Sequence, residues 1–350
     1  MSVHFFTGFP GLVATEIIQQ LFKQDITKEV YAVVLQRELD DAKAVALLIE
    51  QQFEDCQIVL FEGDLTLPIL DLADDEFALI QSKIDVVWHL AFIQDLTVKR
   101  EQAWKVNVHG TANVNEFVCK LPNLKRYMYL SSAFIAGKRK GKILEMELIR
   151  PSQFHNFLEE TKFEAELLVD DLKRELPITI LRPTMIYGYS KLGVKRNIDG
   201  LYFLSKFISY FEKKRMIPKL GNDQILPLVA IEYVAEVSVA LCQLPEAEGE
   251  TVHLTDEKQY DVLTIYTEMV KQMTSKNTFG RLPVGIAKAL LEQKSIREAM
   301  QVPPQFIDYI DYAAEFDTKD CHTLLSKFEI EGRDLMQALP QIVHYYKENK

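Results

Sequence analysis

Cysteine is scarce in this sequence and scattered: Cys56, Cys119, Cys242 and Cys321 stand far apart, with no CxxC pair. That spacing excludes a disulfide framework and a zinc knuckle, and suggests buried thiols in a reducing compartment. The seven histidines lack HExxH spacing, so no metal site is expected. No run of 18 apolar residues is present, which excludes a membrane-spanning helix. No basic-apolar leader precedes Gly8, so a cytoplasmic protein is expected. Basic charge is also short, with 40 Lys and Arg against 51 Asp and Glu and a net charge of -11. That balance argues against a nucleic-acid face and against a polybasic membrane patch. The short run Lys138-Arg139-Lys140 reads as a solvated loop. Internal repeats and low-complexity linkers are missing too, so any boundary between lobes is a matter of topology.

What is present is apolar residues at 48% and charged residues at 26% in a chain of 350. This suits a globular α/β unit with a smaller attached region. The organising stretch comes first. Val3 to Phe6 is a short apolar run that stops at Gly8, and a helical pattern opens behind it. Gly8 allows a tight turn, Gly11 lets backbone amides close on a phosphate, and Ala14 is small enough for the helix to lie on a sheet. The helix start offers unpaired N–H groups and the positive end of its dipole to an anion. A plain strand-to-helix turn is the bland reading of the same residues.

The rest of the chain keeps a steady rhythm. Val30 to Leu35 predicts a second strand, residues 39–54 a helix, and Ile58 to Phe61 a third strand. Asp85 to Ala91 predicts a fourth strand, about 101–120 a helix, and Arg126 to Leu130 a fifth strand. A helix over about 157–175 and a sixth strand from Ile178 to Leu181 follow. Such alternation means a parallel, doubly wound sheet. Past Gly188 the rhythm changes. An aromatic helix (Tyr202, Phe203, Phe207, Tyr210, Phe211) reads as core before ligand pocket. Residues 225–256 look like a return to the main sheet, and the remainder is mostly helical. The expected division is 1–188 plus 225–256 for the sheet domain, and 189–224 plus 257–350 for a smaller substrate-binding lobe.

Gln36-Arg37-Glu38 follows the second strand with no carboxylate at its immediate end. In dinucleotide folds an acidic residue there bonds a ribose 2′-hydroxyl, whereas a basic one suits a 2′-phosphate. NADP is therefore the expected cofactor, with NAD as the alternative. Arg37 paired with Glu38 or Asp41 is the plain reading.

Seven landmarks in order resemble the extended short-chain dehydrogenases/reductases, within them the male-sterility and fatty acyl-CoA reductase-like NAD(P)-binding branch. They are Thr7-Gly8-Phe9-Pro10-Gly11-Leu12-Val13-Ala14, Gly63-Asp64-Leu65-Thr66, His89-Leu90-Ala91 and Asn107-Val108-His109-Gly110-Thr111. Ser131-Ser132-Ala133-Phe134, Thr161 to Glu166 and Arg182 to Gly188 complete the set. The resemblance implies an α/β Rossmann fold, doubly wound, with a smaller, mostly helical C-terminal substrate lobe. It implies that Gly8, Gly11 and Ala14 face the pyrophosphate, with Thr7, Phe9, Pro10 and Leu12 in the same cofactor site; Arg37 is added to that site from the strand-end reading. Asp64 and Leu65 would meet the adenine, and His89, Leu90 and Ala91 would run along the ribose and nicotinamide side, while Pro183 joins the same set. Asp64 as a turn cap and His89 as a satisfied core histidine are the bland alternatives.

The resemblance also implies the chemistry: hydride moves from nicotinamide to a carbonyl, a Ser or Thr hydroxyl holds the oxygen, and a tyrosine gives the proton. A lysine four residues later, one turn along the same helix face, lowers the phenol's pKa of about 10 and holds the ribose. Ser132 and Lys162 stand at the expected catalytic positions, but position 158 is Leu158. Leucine donates no proton, and losing a general acid costs on the order of 10²–10⁴ in rate. Neighbouring Phe157 has no hydroxyl either. His155 reaches the same face only if the helix starts early, Glu159 reads as a salt bridge to Lys162, and Tyr187 offers a hydroxyl from the loop after the sixth strand; none has the relay's spacing. Three readings follow: a reductase or dehydrogenase with altered chemistry, a nucleotide-binding sensor without turnover, or a scaffold without cofactor. The glycine turn and Lys162 argue against the last. The substrate is expected to be a small molecule, acyl or apolar by the aromatic segment, and a homodimer stays open.

Overall fold

The computed structural model describes residues 2–188 and 199–348. Of the segment assigned to the second lobe, residues 189–198 lie outside the described residues.

Seven parallel strands form the central sheet: β1 (Val3–Thr7), β2 (Glu29–Val34), β3 (Gln57–Glu62), β4 (Ile84–His89), β5 (Arg126–Leu130), β6 (Ile178–Pro183) and β7 (Thr251–Leu254). Their order is β7-β6-β5-β4-β1-β2-β3, so the winding reverses between β1 and β4. That reversal opens a crevice at the carboxyl ends of the strands. The sheet is covered on both faces, which is why its strands read as continuous apolar runs. Phe6, Trp88, Met128 and Leu181 point into one apolar layer; Phe5, Val87, Tyr127 and Ile180 point into the other. Each such side chain, fully buried, contributes roughly 1.5–3 kcal/mol. Buried Trp88 still finds a partner for its indole N–H, donating to Nδ1 of His4 at 3.0 Å. The first layer continues into the C-terminal helix Leu335–Glu348 through Leu339 and Val343.

Helix α1 (Leu12–Lys23) follows β1 directly, and α2 (Leu39–Glu50) follows β2 after a short turn. The helix predicted over 101–120 spans residues 100–118 (α3), with a π turn at Trp104–His109. The looser turn lets the Asn107 side chain reach out, accepting from Ile93 N at 2.9 Å and donating to Thr161 Oγ1 at 2.9 Å. Helix α4 (Phe157–Asp170) starts under an Asn156 cap and tightens to a 3-10 turn at Asp171–Arg174, short of the predicted 175.

The return of 225–256 to the sheet is only partial. Thr251–Leu254 joins the edge beside β6. Ile225–Leu226 pairs antiparallel with Tyr260–Asp261, and Leu228–Ala230 pairs in parallel with Met185–Tyr187. Pro227 divides these two, because its ring nitrogen has no hydrogen to give a ladder. The thiols also differ from expectation. Cys321 is buried, but Cys119, one residue beyond the end of α3, is exposed, and Cys56 and Cys242 are half-buried. Arg139 of the solvated loop is half-buried and pairs with Glu147.

Candidate functional site

A cleft of about 870 Å³ opens at the carboxyl end of the sheet, where the strand order reverses. It brings together Thr7, Gly8, Phe9, Pro10, Gly11, Leu12, Arg37, Asp64, Leu65, Leu90, Ala91, Ser132, Lys162 and Pro183, while His89, His155 and Tyr187 are not part of its lining.

The floor is the turn from β1 into α1. Gly8 has φ +89°, and a Cβ there would come within 2.8 Å of the Ala91 nitrogen. A Cβ on Gly11 would lie 2.5 Å from the Gly8 carbonyl oxygen, which already accepts from Gly11 N at 2.7 Å. Only glycine closes this turn so tightly. Gly11 caps α1 without a side-chain bond, and no acidic residue sits in the first turn. The first amides of α1 therefore face the cleft without a competing carboxylate, as a diphosphate requires. The donor set fits a dinucleotide.

Arg37 is largely exposed on the cleft rim, with Glu38 3.9 Å from its Nε. That contact is long and solvated, so it holds the guanidinium only weakly. Asp64 spends one carboxylate oxygen on its own turn, accepting from Thr66 N at 2.8 Å. The turn-cap reading of Asp64 is thus part of its role at the cleft wall.

Beneath the cleft, His89 is fully satisfied. Thr111 donates its hydroxyl to the Asn107 carbonyl at 2.6 Å, so it accepts from Nε2–H of His89 at 3.0 Å. Nδ1 is then the acceptor for the Thr7 hydroxyl at 2.8 Å, and Thr7 Oγ1 accepts from the amides of Leu90 and Ala91, each at 3.2 Å. Burial lowers the His89 pKa to about 3, with Lys162 adding to the effect. The ring is a neutral brace for the β4 terminus, whose following residues line the cleft.

Lys162 enters from α4. Its ammonium donates to the Leu130 carbonyl at 2.5 Å and to the Tyr129 hydroxyl at 3.2 Å, and lies 4.6 Å above the Phe92 ring. Burial lowers its pKa to about 7, against the pull of Glu166. Leu158 lies one turn earlier on the same wall, half-buried. Ser132 is half-buried at the wall, with Oγ accepting from Phe134 N at 3.2 Å. Behind it Ser131 donates to Glu166, which also holds Arg182 through Nε at 2.9 Å.

Three expectations change. Glu159, expected to pair with Lys162, turns to His155 and Tyr309. Tyr187 gives its hydroxyl to Asp256 at 2.6 Å and does not line the cleft. Helix α4 begins at Phe157, so His155 precedes it and caps back on Glu159. The sequence reading also missed Tyr309, because 150 residues separate it from Glu159 and no local pattern marks it. Phe134, Leu158, Met185, Phe203, Phe306 and Tyr309 supply apolar lining, with Phe134 packed on Tyr309 and Phe203 on Phe306. Of the aromatic helix Asp199–Lys213, only Phe203 among its Tyr and Phe residues joins this lining; the others pack in the core. Among the described residues no cluster of His, Cys, Asp or Glu is arranged for a metal, and no helix is long and apolar enough to cross a membrane.

Comparison with known proteins agrees with this geometry. The fatty acyl-CoA reductase wat of Drosophila melanogaster is 26% identical over 237 residues, covering 57% of this chain and 45% of that protein. The alcohol-forming fatty acyl-CoA reductase of Simmondsia chinensis is 22% identical, over 67% of this chain and 60% of that one. The chain thus spans less than two thirds of the length of these curated relatives. The crystal structure of the terminal R domain from the myxalamid PKS-NRPS biosynthetic pathway shares the fold, with a TM-score of 0.80 at 22% identity over 99% of this chain and 91% of that one. The family described as male sterility protein, an NAD-binding family, matches residues 6–238, and the chain belongs to that family, a branch of the extended short-chain dehydrogenases/reductases.

Proposed function

We propose that this chain is an NADP(H)-dependent reductase that acts on the carbonyl of an acyl thioester or aldehyde. The observation that carries the reading is the continuity of the cleft. An anion-accepting helix start, the cation of Arg37, Ser132 and Lys162, and a set of apolar side chains all line the same cleft. A dinucleotide needs the first two, a polarised carbonyl the third, and an acyl chain the last.

When bound, the reduced nicotinamide supplies a hydride to the carbonyl carbon. The residues of the chain do the rest. Ser132 offers a hydroxyl to the carbonyl oxygen where charge develops. Lys162, held by Leu130 and Tyr129, places its ammonium beside the same wall. Phe134, Met185 and Phe203 exclude water from their part of the cleft, which strengthens each polar contact inside it. The relatives named as fatty acyl-CoA reductases support an acyl substrate. Arg37 favours NADP over NAD for the reason given by its charge on the rim. Free thiols and the soluble cofactor suit the cytoplasm.

The second reading, a nucleotide-responsive module without turnover, is favoured by Leu158 alone. One experiment separates the two. NADPH fluorescence is titrated with the purified chain, and NADPH consumption is then followed with dodecanal and with dodecanoyl-CoA. Binding with consumption supports the reductase; binding without it on either substrate leaves the module; no binding at millimolar NADPH removes both.

A further inference from the structure

Position 158 carries no phenol, yet a phenol lines the cleft beside it. Tyr309, from the turn of helix Ile307–Ile310, packs its ring edge-on against Phe134 at 4.9 Å between centroids. Its hydroxyl donates to Glu159 Oε1 at 2.7 Å and accepts from Asn156 Nδ2 at 2.9 Å. Glu159 follows Leu158 on α4 and stands one turn before Lys162, and all three line the cleft with Tyr309. The geometry points to Tyr309 as the proton donor of this site: a phenol supplied from the C-terminal lobe in place of the one missing from α4. This rests on the reductase reading above.

The step balances. Hydride from reduced nicotinamide forms the new C–H bond, and the C=O π pair moves to oxygen as an alkoxide. The alkoxide takes the Tyr309 proton, breaking the phenolic O–H bond. The phenolate left behind keeps the Asn156 amide donor, which is aimed at its oxygen. Burial and the Glu159 carboxylate raise the Tyr309 pKa well above 10, which keeps the phenol protonated until a stronger base, the alkoxide, forms beside it. Glu159 is the positioning carboxylate. It accepts from the His155 amide at 2.8 Å and contacts the ring nitrogen Nδ1 at 3.0 Å. The His155 side chain is 12% exposed against 2% for Glu159, so it is the solvent end through which a proton returns to the phenolate. Tyr129, the phenol bonded to Lys162, lies fully buried beneath the wall and does not line the cleft. Proximity to lysine alone therefore does not qualify it.

The test uses the full chain, NADPH, dodecanal as substrate and dodecanol as product probe. Tyr309→Phe keeps the ring and its packing on Phe134. It is expected to lower kcat on dodecanal by roughly 10²–10⁴ while NADPH affinity stays within about twofold. Adding Leu158→Tyr to that variant is expected to restore at least about tenfold of the lost rate, whereas the same change in the native chain gains less than about twofold, a contrast that a purely structural role for Tyr309 would not produce. Independently of turnover, 3-fluorotyrosine placed at position 309 keeps the native shape. Its fluorine resonance is expected to shift when dodecanol is added to the chain loaded with NADP⁺. A native chain that reduces dodecanal while Tyr309→Phe matches its rate overturns the assignment and leaves the reductase reading standing. An unmoved fluorine resonance under saturating dodecanol does the same. A native chain that does not bind NADPH overturns both.

Discussion

The Lys162 ammonium is bonded to the Leu130 carbonyl oxygen at the end of β5, 2.5 Å away, and the residue keeps only 3% of its surface open to the cleft. A cation held this deep is costly, and burial has moved its pKa to about 7 from 10.5. Between those two values the unfolded chain binds more protons than the folded one, so stability from this group rises with pH from about 7 to 10.5. Below pH 7 both states hold the proton, and the folded state carries the full desolvation cost, on the order of several kcal/mol. Lys162→Met removes that cost and also leaves the Leu130 carbonyl without its partner, a loss of about 1–3 kcal/mol. The variant is expected to melt above the native chain at pH 6 and to lose that advantage by pH 10. Melting followed across the pH range checks it; a constant offset would show that the amine is not charged and desolvated as described.

The Gly8–Gly11 turn gives a sharper test of the diphosphate seat. A methyl group at position 11 would stand 2.5 Å from the Gly8 carbonyl, well inside contact distance, so the turn must open. Gly11→Ala is expected to weaken NADPH by about 100-fold or more, with far-ultraviolet circular dichroism unchanged. Affinity within threefold of native would move the nucleotide elsewhere.

Substitution of Arg37 tests which of the two nucleotides the proposed site takes. The side chain stands on the rim with Glu38 3.9 Å from its Nε, a weak and solvated neighbour. A hydrogen bond from its guanidinium to a 2′-phosphate contributes about 1.5–3 kcal/mol. Arg37→Ala is therefore expected to raise the NADPH dissociation constant about 10- to 100-fold and to leave NADH within about threefold. Fluorescence titrations of both nucleotides on native and variant chains give the answer. Equal losses for the two would make Arg37 a structural residue.

The sheet was legible because its signals are local. Each buried strand is a short apolar run, and Arg126–Leu130 is read to the residue. The glycine turn was legible for the same reason: glycine at positions 8 and 11 has a backbone meaning by itself. What stayed hidden depends on distant partners. Glu159 looks like a lysine partner at helical spacing, but Tyr309 and His155 compete for it and win, and Tyr309 comes from the far end of the chain. Tyr187 follows a motif into the right region, yet Asp256 takes its hydroxyl away from the cleft. Pro227 was visible and its consequence was not, since breaking a ladder matters only once the neighbouring strand is known.

The last prediction concerns the support behind Ser132. Glu166 is fully buried, and it holds the equally buried Arg182 while accepting the Ser131 hydroxyl. Arg182 in turn donates to the carbonyls of Glu145 and Glu147, each at 2.9 Å, so one guanidinium ties β6 to the loop in front of it. A buried pair of this kind adds little over an apolar replacement, but removing one member leaves the other charged and dry, at a cost of about 3–5 kcal/mol. Glu166→Gln is expected to lose about that much in urea unfolding. Glu166→Gln with Arg182→Met is expected to lose less than the single change, because the orphaned cation is gone as well. NADPH affinity should stay close to native in both, since neither side chain lines the cleft. A single variant within 1 kcal/mol of native would show that water reaches Arg182, and that the floor beneath Ser131 is looser than its burial implies.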